Sequence, residues 1–139
     1  MRRQRGQSLV EAALMLPLLL FLVFGIVEVG RAAGILQTLD SAAREGARWS
    51  ALPAAGSESL PLVSDVQQRV VNYVTASDVG INPFNVSVNQ EVDHTEDGLT
   101  TSFSQVEVSY VYHFVTPLLA AVVPSITLHG EAEMRNETN

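Results

Sequence analysis

The sequence predicts an α+β fold: a long N-terminal helix, a second short helix, and a three-stranded antiparallel sheet packed on the helix. Three observations predict it. Residues 12–27 contain no charged side chain, and small or apolar residues then recur at helical spacing with no proline until Pro53. Beyond Pro83 the apolar period changes from 3.6 to 2, the spacing of half-buried strands. With 139 residues there is room for one modest domain besides the apolar stretch.

The run from Gln7 to Val27 has Glu11 as its only charge. At about 1.5 Å per residue it spans roughly 30 Å, the thickness of a bilayer's hydrocarbon core. Pro17 lies inside it and is expected to kink the helix. Gly30, Gly34 and Gly46 each weaken a helix by about 1 kcal/mol relative to alanine. They are expected to admit close approach of another element. Val29, Ala32, Leu36, Leu39, Ala43 and Ala47 form one apolar stripe, and Glu28 precedes Arg31 by three residues, a favourable pair.

The stretch Pro53–Pro61 has linker chemistry. A second helix follows, with Leu62, Val66, Val70, Tyr73 and Val74 on its apolar face, and Asp78–Pro83 ends it. Three alternating segments are expected to be strands, with Phe84, Val86 and Val88 facing inward in the first. Val106, Val108, Tyr110, Tyr112 and Phe114 do so in the second, and Ile126, Leu128, Gly130, Ala132 and Met134 in the third. Asp93–Gly98 is expected as a loop between the first two strands. Thr116–Pro124, apolar and bounded by prolines, reads as a connection with a short helix, too short to span a bilayer. The organisation is thus 1–6 as a basic leader, 7–52 as the long helix (7–29 transmembrane), and 53–139 as an extracytoplasmic α+β domain.

The formal net charge is −7 although Arg2, Arg3 and Arg5 crowd the N-terminus. An acidic body argues against nucleic acid as a partner, whereas a basic head suits the cytoplasmic side of a membrane. The absence of cysteine excludes disulfides and thiolate metal sites. His94, His113 and His129 fall in a loop and two strands, and a metal site is not expected from them. Asp93, Glu96 and Asp97 lack the twelve-residue calcium-loop pattern. No nucleophile elbow or phosphate-binding loop is visible. No enzymatic activity, metal or cofactor is expected. The sequons at Asn85 and Asn136 carry no weight.

The order basic leader, Gly6, four residues, Glu11, long apolar helix resembles the class III signal of type IV pilin-like proteins. Joined to the run Ala42-Ala43-Arg44-Glu45-Gly46-Ala47-Arg48 and to Pro17, it is similar to the TadE-like family of the tight-adherence (Flp, type IVc) pilus system over residues 6–51. The resemblance implies a minor pilin or pseudopilin whose leader is removed by a prepilin peptidase between Gly6 and Gln7. The new amino terminus would be N-methylated and the apolar helix kept. It further implies a single-pass membrane protein, N-terminus cytoplasmic, whose partners are the membrane, the prepilin peptidase, other pilin-like subunits and the assembly machinery. Glu11 would set subunit registry by pairing with the amino terminus of a neighbour. The alternative is a signal-anchored extracytoplasmic binding domain that never polymerises.

Overall fold

The computed structural model describes residues 2–53, 59–96 and 98–137, with side chains from Gln7 onward apart from residue 118. Helix α1 runs unbroken from Arg2 to Ser50, through Pro17. Helix α2 covers Val63–Thr75, and a single 3₁₀ turn at Pro83–Asn85 leads into the sheet. Strands β1 (Val86–Glu96), β2 (Leu99–His113) and β3 (Ser125–Arg135) follow, with the four-residue helix α3 (Pro117–Ala120) between the last two. The architecture is α+β, as expected from the sequence. Most of the Pro53–Pro61 linker lies outside the described residues.

The sheet order is β1-β2-β3. β1 and β2 are antiparallel, Val86 opposite Val108 and Glu96 opposite Leu99. Side-chain pairs Gln105–Glu131 and Glu107–His129 run in opposite directions along β2 and β3, so that pair is antiparallel too. Between Asn89 and Val92 the register slips against Gln105 and Phe103. One extra residue on β1 makes a bulge there.

The described chain forms two compact units. One comprises Met1–Ala33 with Tyr112–Ile126, the other Gly34–Val111 with Thr127–Asn139. In the second unit, Leu39, Ala42, Ala43 and Ala47 of α1 are buried with Val66, Val70 and Val74 of α2 and Val86, Val106 and Val108 of the sheet. Small residues let these elements close up. A Cβ added at Gly46 would fall 2.5 Å from Val70 Cγ2 and 3.2 Å from Val106 Cγ1. One added at Gly130 would fall 2.6 Å from Asp40 N and 2.7 Å from Leu39 O, so β3 rests directly on the backbone of α1. Gln67 Nε2 donates to Val86 O at 2.9 Å and ties α2 to β1.

Several local expectations are corrected. Asp93–Glu96 are strand rather than loop, because cross-strand polar partners hold them. Ser102 Oγ donates to Asp93, Thr95 meets Thr100, and His94 stands edge-on to Phe103. Pairing continues as far as Glu96 opposite Leu99, and Gly98 takes φ 79°. Phe84 falls in the 3₁₀ turn and is fully exposed, and Leu62, Tyr73, Val29 and Leu36 also face outward. Nothing among the described residues lies within 4 Å of a Cβ placed at Gly30 or Gly34, so only Gly46 of the three helix glycines marks a close approach. α2 is stopped by Asp78, at φ 61° in the left-handed region that short polar side chains tolerate.

Candidate functional site

Gly6 and Gln7 lie in the first turns of α1, and Glu11 is exposed one turn beyond Gln7. The Glu11 carboxylate has no hydrogen-bond or ion-pair partner among the described residues. From there the helix is an apolar rod. Leu14, Leu18, Leu22 and Ile26 are 61–73% exposed although they would be core residues in a water-soluble domain. This is one helix long and apolar enough to cross a membrane. Its inner positions face outward because no other described element surrounds that window.

The rod ends at Glu28, which is buried with 2% of its surface exposed. Its Oε1 accepts the backbone N–H of Val115 and of Thr116, each at 2.7 Å. Its Oε2 accepts the Tyr112 hydroxyl. Arg31, the partner suggested by sequence spacing, is 3.8 Å away and half exposed, so it is the weaker contact. A buried carboxylate is tolerable when its lone pairs are filled in this way. Tyr112 is itself buried and meets Phe114 edge-on, 5.4 Å between ring centroids. Sequence reasoning missed this clamp. The available signal was a carboxylate at the last turn of an apolar run, facing a strand end with Tyr112.

The motif Ala42–Arg48 divides by face. Ala42, Ala43, Gly46 and Ala47 are buried and form the seat for α2 and β2. Arg44 and Arg48 point outward. Glu45 accepts from Arg69 of α2 (Nη2 at 2.7 Å, Nε at 3.1 Å), and the same guanidinium lies 5.2 Å from the Trp49 ring centre. The residue types follow from this geometry: four small side chains where backbones approach, three charged ones at the rim.

Below that seat lies a polar knot. Ser50 and Ser104 hydroxyls are 2.6 Å apart and buried. Gln90, carried inward by the bulge, donates to Ser50 Oγ at 3.0 Å and to Pro61 O at 2.9 Å. Asn136 donates to Gln90 O and to Ser102 O. Asn136 is only 4% exposed, so the acceptor side chain of that sequon is buried.

The histidines are on the outer, polar face of the sheet. His129 pairs with Glu107 at 2.9 Å rather than neighbouring His113, and His94, on β1 rather than in a loop, meets Glu133. No group of three or more potential metal ligands forms among the described residues.

Residues 6–48 match the model of the TadE-like protein family, roughly a third of the chain. Comparison with curated proteins finds no match, and comparison with solved structures finds none. The match coincides with the rod, the Glu28 turn and the small-residue seat, and it ends within the last turn of α1. The N-terminal third of this chain is therefore similar to TadE-like proteins.

Proposed function

We propose that the chain is a membrane-anchored minor pilin or pseudopilin acting in tight-adherence pilus assembly. The observation that carries this reading is a single helix with two jobs. Its first half is apolar on all sides and exposed, and its second half is the spine of a small α+β domain. Such a rod is stable only in lipid or among like rods. The basic residues ahead of it keep its start on the cytoplasmic side. A prepilin peptidase cuts between Gly6 and Gln7, and the new α-ammonium at Gln7 lies one turn from Glu11.

Glu11 then serves as a registry group. An exposed carboxylate on an apolar rod is costly in lipid. Pairing with the amino terminus of an adjoining subunit relieves both charges and fixes the axial offset between rods. The role is structural and needs no cofactor.

Mass spectrometry of the protein purified from cells with and without a prepilin peptidase tests the reading. The expected mature chain starts at Gln7, N-methylated, only when the peptidase is present. A chain that keeps residues 1–6 in both strains, or loses the rod, refutes it and favours a signal-anchored binding domain.

A further inference from the structure

The connection between β2 and β3 is the longest uncharged run outside the rod. No residue from Phe114 to Thr127 is charged, and Val115, Val122 and Val123 are 64%, 78% and 43% exposed. Two observations place it at the end of the rod. Glu28 holds the amides of Val115 and Thr116, so the connection starts beside the residue at which the apolar run stops. Its residues from Phe114 to Ile126 also belong to the same compact unit as the rod. There the rod's Glu28 face is the less exposed one: Phe21, seven residues before Glu28, is 38% exposed against 61% for Leu22, which points away.

The backbone of the connection is suited to an apolar medium. Ala120 and Ala121 N–H donate to Thr116 and Pro117 carbonyls, and Val122 and Val123 N–H both donate to Leu119 O, at 2.8–3.0 Å. Pro117 and Pro124 have no N–H to leave unpaired. Lipid penalises backbone groups that lack internal partners, and these four N–H groups have theirs within the turn.

We propose that Phe114–Thr127 is a second membrane contact, dipping its valines into the lipid leaflet around the C-terminal end of the rod. The inference rests on the membrane-anchor reading above. The occupant is the headgroup and upper acyl region of the bilayer, where an uncharged apolar turn is stable at a depth of about 5–10 Å. Rod and turn together would fix the protein's tilt and depth, as two points define a direction where one does not.

The chain has no cysteine, so single-cysteine labelling of the full chain is unambiguous. Val122→Cys and, separately, Val115→Cys are labelled with an environment-sensitive nitrobenzoxadiazole dye and reconstituted in phosphatidylcholine–phosphatidylglycerol vesicles. Leu18→Cys, read with lipids brominated deep in the acyl chains, reports on the rod at the bilayer centre, and the free dye–cysteine adduct in buffer gives the aqueous baseline. The expected result is a blue-shifted emission at positions 122 and 115 that is quenched on introducing lipids brominated near the headgroup, the depth at which the turn would lie. Water-like, unquenched emission at both, with position 18 quenched, overturns the proposal and leaves the anchor reading standing. A blue shift that tracks protein density but not brominated lipid also overturns it, and assigns the valines to a second copy of the chain. An unquenched position 18 removes the anchor reading and this proposal with it.

Discussion

Replacing Gly130 by alanine tests how the sheet is held on α1. The added Cβ would sit 2.6–2.7 Å from Asp40 N and Leu39 O, and ordinary contact begins near 3.4 Å, so strand and helix must part by about 0.8 Å. The obstruction is helix backbone, which has no rotamer to change. Overpacking of this kind costs about 1–3 kcal/mol. Alanine's lower unfolded-state entropy offsets only about 0.4–1 kcal/mol of that. Two glycines on α1 calibrate the measurement. Gly34 has nothing near its would-be Cβ among the described residues, so Gly34→Ala should stabilise by up to ~1 kcal/mol. At Gly46 the nearest atom is the end of the Val70 side chain. That valine is stiff at χ1 but not immovable, so Gly46→Ala should fall between the other two. Urea unfolding of the full chain in detergent micelles, followed by the fluorescence of the only tryptophan, Trp49, measures all three. If Gly130→Ala unfolds within about 0.5 kcal/mol of the parent, or matches Gly34→Ala, the close-approach argument is wrong.

Three other perturbations probe the clamp, the knot and the rod. Glu28→Leu should speed hydrogen exchange at the Val115 and Thr116 amides, and Glu28→Gln, which keeps an acceptor oxygen, should do so less; unchanged protection in Glu28→Leu would mean the clamp does not hold the turn. Ser50→Ala removes one hydroxyl of the buried pair and leaves Ser104 and Gln90 short of a partner. It should destabilise by about 1–3 kcal/mol, read as a lowered urea midpoint; an unshifted midpoint would show that another group fills the gap. Glu11→Leu should insert in membranes as well as the parent but fail to co-purify with the pilin-like subunits of the same cells, and normal co-purification would remove the registry role.

The elements whose burial is periodic were readable in advance. Val66, Val70 and Val74 on α2, and Val106 and Val108 on β2, occupy the inner faces that their spacing predicts. The far end of the hairpin was not readable that way. Every residue of Asp93–Glu96 is exposed, so no alternation marks the strand, and polar cross-strand pairs stabilise it instead. Asp97-Gly98 was the usable signal, a favoured two-residue hairpin turn. Along α1 the stripe was drawn too far: Val29 and Leu36 fit the period, yet the inner face has contacts only where another element reaches it. The site divides similarly. Gly6, Gln7 and Glu11 stand out by spacing along the chain, whereas Glu28 acquires its role from residues 84–88 positions away. Local spacing could offer it only Arg31.

That same separation orders events during synthesis. Tyr112, Val115 and Thr116 are made long after Glu28, by roughly 4–18 s at common translation rates of 5–20 residues per second. By the end of that interval the stem has left the ribosome, and until then the groups that will cradle its last carboxylate do not exist. The collar at the stem's outer end is thus one of the final joints to close, and a ribosome halted before codon 112 would release a stem with no collar at all.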